Sequence, residues 1–267
     1  MEFRTKVAID TPQFKIDLQE QMLFVGSCFA DNIGNRFVAE NFRAIVNPYG
    51  VMYNPASILH TVERSSESPT LAFFTLGTNH VYRLKETGEI VDNCQKRPQR
   101  LFSEEQLTIE QCCDYLSEAV EILRSRNKDV RIVITVSPIR YAKYGYHGSQ
   151  LSKATLLLAA DRLVGKYDCC EYFPAYEIVN DELRDYRFYT EDMLHPSHQA
   201  VDYIWERFVE AYFSELAKQF LVEWKPLKEA LGHKPFNPDS DEHKAFVEKT
   251  NKKIEEFKKK WHIQLKR

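Results

Sequence analysis

Short apolar segments alternate with amphipathic helical segments along most of this chain, and this alternation constrains the fold more than any other feature of the sequence. The buried strands are predicted in residues 22–27, 43–48, 71–76, 131–136 and within 169–179. The helices are predicted in residues 29–41, 55–65, 151–165 and from Pro196 onwards. This order predicts a parallel sheet covered by helices on both faces and joined by right-handed crossovers.

Two further segments carry local signals. Residues 80–92 are typical of a hairpin built around a Thr-Gly step. Ser103 followed by Gln106 matches a capping box, which predicts a helix that starts there and runs to about Arg126.

The last part of the chain differs from the rest. A Pro-Phe-Asn-Pro segment at 235–238 breaks it, and a Lys/Glu-rich helix follows with Phe246, Ile254 and Trp261 as sparse apolar anchors. We therefore expect an α/β domain over residues 1–225 and a helical extension over 226–267 that packs on the same domain. A partly frayed tail is the alternative.

Composition limits the function classes. The net charge is −3, from 36 Lys and Arg against 39 Asp and Glu, so nothing indicates a nucleic-acid or anionic-membrane partner. No stretch approaches the roughly 18 apolar residues of a transmembrane helix. The N-terminus lacks the pattern of a signal peptide, which predicts a cytoplasmic protein with its six cysteines reduced. An exported protein whose signal peptide had already been removed would show the same N-terminal pattern, so that location stays an alternative.

Ser27 lies at the end of the first predicted strand, directly before a helix. Ligands of parallel α/β sheets bind outside the carboxyl ends of the strands, where this hydroxyl would project. The helix N-terminus would offer N–H groups to a developing oxyanion, and Gly26 would allow a tight turn. A purely structural role for Ser27, as the helix cap, stays open on position alone.

Asp192 and His195 form a D-x-x-H pattern in a loop just before a long helix. Such a turn places a carboxylate and an imidazole on one side, at the same edge of the sheet as Ser27. The carboxylate would hold the ring through its Nδ1–H, while Nε2 accepts a proton from the serine. The three residues together predict an activated serine, although a helix cap with an incidental histidine would give the same local pattern.

The segment Gly26-Ser27-Cys28-Phe29-Ala30 resembles the signature of the GSCFA domain family, an SGNH hydrolase-like group. Other segments that resemble the family follow in order between residues 20 and 240: Asn47-Pro48-Tyr49-Gly50, Thr75-Leu76-Gly77-Thr78, Asn93-Cys94, Ser137-Pro138-Ile139-Arg140, Gln150-Leu151-Ser152-Lys153 and His195-Pro196. The resemblance implies a three-layer α/β/α sandwich with a mostly parallel, flavodoxin-like sheet. It also implies esterase or acyl-transfer chemistry, with Ser27 as the nucleophile and Asp192 and His195 as its partners.

The same resemblance implies an oxyanion hole. Gly50 lies in the loop where SGNH enzymes keep a glycine donor. Asn79, in Gly77-Thr78-Asn79-His80, fits the G-x-N part of the usual G-x-N-D block but lacks its Asp, and Asn93 is the competing side-chain donor. The first block also departs from the common Gly-Asp-Ser, because this chain has Val-Gly-Ser-Cys.

Other side chains near the predicted strand ends are candidates for contact with substrate. Arg140 could bind an anion or form a structural ion pair, and Lys153 could orient a carboxylate or cap backbone carbonyls. His147 lies within Tyr141–Gln150, whose three tyrosines and two glycines suit a mobile lid, with an ordinary surface loop as the alternative. Cys28 could itself be a nucleophile at the helix N-terminus, or could pack behind the site.

The sequence thus predicts a serine esterase that acts on a small-molecule or carbohydrate ester, with an acetyl group favoured by family analogy. No metal is expected, since no metal-ligand spacing occurs, and the expected acyl transfer needs no cofactor. Two alternatives keep the same fold. One is an O-acyltransferase with a sugar hydroxyl as acceptor, and the other is a non-catalytic binding module.

Overall fold

The computed structural model describes residues 4–92, 94 and 97–262. Its strands are β1 (Gln21–Gly26), β2 (Arg43–Val46), β3 (Leu71–Leu76), β4 (His80–Leu84), β5 (Ile90–Val91), β6 (Phe102–Gln106), β7 (Arg131–Val136) and β8 (Cys170–Tyr172). Its helices are α1 (Cys28–Ala39), α2 (Pro55–Arg64), α3 (Ile109–Arg126), α4 (Gly145–Lys166), α5 (Ala175–Glu177), α6 (His198–Tyr212), α7 (Glu215–Leu231) and α8 (Asp241–Trp261).

Five strands form one parallel sheet in the order β2-β1-β3-β7-β8. Counted within this sheet the order is 2-1-3-4-5, the flavodoxin-like arrangement, in which the direction of winding reverses between β1 and β3. The remaining strands, β4, β5 and β6, form a small antiparallel sheet. The predicted fold class is confirmed: a three-layer α/β/α sandwich with a parallel central sheet and helical C-terminal segments.

The two faces of the sheet are buried in separate clusters. Side chains alternate along β1, so Phe24 joins the cluster on the side of α1 and α6, and Leu23 and Val25 join the cluster on the side of α2, α3 and α4. Every residue of β3 is buried. Strands covered on both faces in this way are nearly continuous apolar runs, which is why these segments could be recognised in the sequence.

Two predicted boundaries are wrong. The residues predicted to begin a helix at Ser103 form β6 instead, and the capping box belongs to Thr108 and Gln111, at the start of α3. Helix α4 begins at Gly145 and not at residue 151, so most of Tyr141–Gln150, which was expected to be a loop and a candidate lid, is helical.

The C-terminal helices join the core on the α1 side. Helix α7 runs without interruption across residues 225 and 226, with Pro226 inside it. Phe220 of α7 contacts Phe257 and Trp261 of α8, with ring centroids 5.2 and 5.3 Å apart. Phe220 also contacts Phe42, which contacts Phe37 of α1.

A buried ion pair holds the N-terminal segment against α6. The Arg207 guanidinium lies 2.6 Å from a Glu182 carboxylate oxygen, and the Glu182 side chain has no exposed surface. Val7 joins the pair through its backbone: its N–H donates to Glu182 and its carbonyl accepts from Arg207. No helix among residues 4–92, 94 and 97–262 is both long and apolar enough to cross a membrane.

Candidate active site

Ser27 lies where β1 ends and α1 begins, at the point where the sheet changes its direction of winding. Gly26 is required there, because its φ is +150° and a Cβ would lie 2.3 Å from the Thr75 carbonyl oxygen. The Ser27 N–H donates to that carbonyl at 3.1 Å and to Thr75 Oγ1 at 3.0 Å. The end of β3 therefore fixes the backbone of Ser27 at the crevice where α/β sheets bind ligands.

The Ser27 side chain caps helix α1 and has no exposed surface. Its Oγ accepts the N–H of Phe29 at 3.2 Å and lies 3.3 Å from Thr75 Oγ1. The capping role that the sequence left open is thus present. Capping uses the hydroxyl as an acceptor, so it is compatible with later donation of the hydroxyl proton to a base.

Asp192 and His195 form a preorganised pair. Asp192 Oδ2 lies 2.6 Å from His195 Nδ1, and Oδ1 accepts the N–H groups of Leu194 and His195 and the hydroxyl of Thr190. These hydrogen bonds, led by the one from the His195 N–H, hold the pKa of Asp192 well below its ordinary value. The carboxylate accepts from Nδ1–H, which leaves the Nε2 lone pair of His195 to accept a proton.

Arg140 fastens the Asp192–His195 loop to the chain that leaves β7. Its N–H donates to the carbonyl of Leu194 at 3.0 Å, and its guanidinium donates to the carbonyl of Met193 at 2.8 Å. The guanidinium also lies over the ring of Tyr146, 4.2 Å from its centroid. Of the two roles expected for Arg140, the structure shows a structural one, with backbone carbonyls as the partners instead of a carboxylate.

Ser27 and His195 are at the same edge of the sheet but are not hydrogen-bonded. Within the described part of the chain, the hydrogen bonds of Ser27 Oγ are those to Phe29 and Thr75. Catalytic hydrogen bonds of ligand-free enzymes often close only when substrate binds. The structure thus brings Asp192 and His195 into contact but shows no hydrogen bond between Ser27 and His195.

Gly50 and Asn79, two of the oxyanion donors expected from the sequence, are engaged elsewhere. The N–H of Gly50 donates to the carbonyl of Asn47 at 2.8 Å within a turn. The Asn79 side chain is buried, and its Nδ2 donates to the carbonyl of Leu107 at 2.8 Å. The Ser27 N–H is held by Thr75. Asn93, the competing candidate, lies outside the described residues.

Lys153 is a buried lysine that caps backbone carbonyls, one of the two roles expected for it. Its ammonium donates to the carbonyls of Gly77 and Ser137, both at 2.7 Å, so it joins the ends of β3 and β7. Only 2% of the residue is exposed, and burial lowers its pKa to about 7. His147 lies exposed in the first turn of α4.

Two tyrosines that were not predicted to lie beside Ser27 line the site there. The hydroxyl of Tyr53 lies 3.8 Å from Cys28 Sγ, and burial together with that cysteine raises the pKa of Tyr53 to about 12. The ring of Tyr141 packs edge-on against that of Tyr53. Cys28 is half-buried and also contacts the core on the α1 side. Tyr141 is the first residue of the segment that was expected to be a lid, and no sequence motif marks Tyr53.

The fold and the site together define an α/β protein with a serine at its switch point and an Asp-His pair on a neighbouring loop. The GSCFA family matches residues 21–72 and 62–208, and the GSCFA domain protein C-terminal domain matches residues 224–266. The chain belongs to the GSCFA family. No curated protein matches the chain.

Solved structures resemble the chain only distantly. A GDSL-like lipase from Bacteroides thetaiotaomicron is 14% identical, with a TM-score of 0.45 over 76% of this chain and 88% of that one. An acetyl esterase mutant with acetate ion is 11% identical, with a TM-score of 0.40 over 79% of this chain and 99% of that one. At TM-scores below 0.5 these likenesses carry no argument about activity.

Proposed function

We propose that this protein is an SGNH-type serine esterase in which Ser27 is the nucleophile, His195 the general base and Asp192 the residue that orients it. The observation that supports this most is the 2.6 Å contact between Asp192 and His195 Nδ1, because it fixes the tautomer that a serine needs. The loop that carries the pair is fastened by Arg140 beside the strand ends that hold Ser27.

The proposed reaction has two steps. Ser27 Oγ attacks the ester carbonyl carbon, His195 Nε2 takes the hydroxyl proton, and the carbonyl electron pair moves to oxygen. The tetrahedral species collapses with loss of the alcohol, which receives the proton from His195. Water then attacks the acyl-serine with His195 again as the base, which releases the acid and restores Ser27.

Access to Ser27 requires side-chain movement, because the residue has no exposed surface. Cys28 and Tyr53 are the partly exposed residues next to it, and their shift would open the site to an ester. A small acyl group such as acetyl needs the smallest opening, which favours the short-chain ester that family analogy suggests.

The test is labelling with a fluorophosphonate probe, followed by peptide mapping. We expect one adduct, on Ser27, which Ser27→Ala abolishes and His195→Ala slows by at least about 100-fold. His198→Ala is the matched control, because His198 is an exposed histidine three residues further along the chain. Labelling on Cys28 alone, or labelling that Ser27→Ala leaves intact, would contradict the proposal.

One observation favours a second candidate, the non-catalytic binding module. The Ser27 hydroxyl caps α1, and the N–H groups of Ser27 and Gly50 are engaged within the protein. A binding module predicts no adduct and no ester turnover, together with ligand binding that Ser27→Ala leaves unchanged. The labelling experiment therefore separates the two functions directly.

A further inference from the structure

One buried hydroxyl beside Ser27 has no hydrogen-bond partner. In the part of the chain that the structure describes, the Tyr141 hydroxyl is fully buried and neither donates nor accepts a hydrogen bond. Burial raises its pKa far above the ordinary value, so the group is a protonated donor at every physiological pH. Buried polar groups are normally satisfied because an unmade bond costs stability, so a native exception needs an explanation.

The Tyr141 hydroxyl and the Ser27 side chain face the same small space. A Cβ placed on Gly77 would lie 2.4 Å from the Tyr141 hydroxyl and 3.3 Å from Ser27 Cβ. The absence of a side chain at Gly77 is what lets the hydroxyl come this close. The donor therefore lies close to the Ser27 side chain, and any residue larger than glycine at position 77 would displace the Tyr141 hydroxyl.

The rest of the residue is rigidly held. The Tyr141 N–H donates to Ser149 Oγ at 3.2 Å, and its ring packs edge-on against Tyr53 at 6.3 Å. The Lys153 ammonium lies 5.0 Å from the ring centroid. The hydrogen bond to Ser149 and the contact with Lys153 do not depend on the Tyr53 shift that opens the site. A donor held by them needs little reorganisation when charge develops nearby, which is the property of an effective oxyanion donor.

We propose that the Tyr141 hydroxyl is the side-chain donor that stabilises the oxyanion formed when Ser27 attacks an ester. The proposal rests on the esterase function proposed above and supplies the donor that Asn79, engaged with Leu107, was expected to provide. When the carbonyl electron pair moves to oxygen, the Tyr141 O–H donates to that oxygen. The hydrogen bond is released when the tetrahedral species collapses.

The experiment compares Tyr141→Phe with wild type in hydrolysis of p-nitrophenyl acetate and in thermal unfolding. We expect kcat to fall by about 100- to 1000-fold with little change in KM. We expect Tm to stay equal or to rise, because the substitution removes an unsatisfied buried hydroxyl. Tyr172→Phe is the matched control: its hydroxyl donates to Glu177 at 2.9 Å, so its loss should lower Tm and spare kcat.

The outcomes separate this inference from the proposed function. If Ser27→Ala abolishes hydrolysis but Tyr141→Phe keeps kcat within about threefold of wild type, Tyr141 is not the oxyanion donor although the esterase function stands. If Tyr141→Phe lowers both Tm and kcat, its role is structural and the inference is wrong. If Ser27→Ala retains full hydrolysis, the esterase function fails and the inference fails with it.

Discussion

Replacement of Lys153 by methionine tests the energetics of the buried amine that joins β3 to β7. In the folded protein burial lowers the pKa of Lys153 to about 7, against an ordinary value of 10.5 for the exposed side chain. Between these two values the unfolded chain binds a proton at this residue that the folded chain does not bind. The stability of the wild type therefore rises with pH across that window, and below it the contribution is constant.

The magnitude follows from the proton linkage. One group that is protonated only in the unfolded state changes the free energy of unfolding by about 1.4 kcal/mol per pH unit. Two pH units inside the window correspond to roughly 2–3 kcal/mol. Lys153→Met has no such titration, and its other effect, the loss of donors to the carbonyls of Gly77 and Ser137, does not depend on pH.

The assay is urea unfolding of wild type and Lys153→Met at about pH 7, 8 and 9. The difference in unfolding free energy, wild type minus variant, should increase with pH, and subtraction removes the titration of all other groups. Lys166→Met, which removes an exposed lysine of the same helix, is the control for loss of one positive charge. If this difference in unfolding free energy does not change with pH over the range, Lys153 is not a buried amine with a lowered pKa, and the reasoning is refuted.

Two further substitutions test packing and charge by urea unfolding. Gly77→Ala should destabilise the protein by roughly 1–3 kcal/mol, because the new Cβ would lie 2.4 Å from a tyrosine oxygen and 2.7 Å from a backbone oxygen. Gly165→Ala, where a Cβ meets nothing within 4 Å, should be neutral or stabilising, and equal effects of the two would contradict this reasoning. Glu182→Gln should cost on the order of 3 kcal/mol, since it leaves the Arg207 charge buried without its partner. Glu210→Gln, which removes an exposed carboxylate near the same Arg207, should have little effect, and a comparable loss there would refute the role of burial.

The sheet could be predicted from the sequence because parallel strands buried on both faces carry their signal locally. The start of α3 could not be predicted from the sequence, because two segments match the capping-box pattern. Residues 102–106 pair with β4 and become a strand, and this long-range pairing decides which frame, Ser103–Gln106 or Thr108–Gln111, is used. Local propensity yields to tertiary context in such a case.

The candidate site was predictable to the same extent. Asp192 and His195 are three residues apart, so their contact is a local property of one loop. Whether an N–H donor is free to bind an oxyanion depends on long-range contacts. The side-chain amide of Asn79, for example, donates to the carbonyl of Leu107, 28 residues away. The proximity of Tyr141 to Ser27 could not be predicted for the same reason. It depends on how β1, β3 and the segment after β7 assemble.

The line of aromatic contacts from α8 to the sheet has a consequence for how the protein unfolds. Trp261 contacts Phe220, Phe220 contacts Phe42, and through Phe37 the line reaches Phe24, three residues before Ser27. Rings that share one core gain and lose their packing together, so the C-terminal helix belongs to the same cooperative unit as the strand that carries the serine. The tryptophan fluorescence of the protein, to which Trp261 contributes together with Trp205 and Trp224 of the same core, is therefore a built-in reporter of the integrity of a site at the far end of that line.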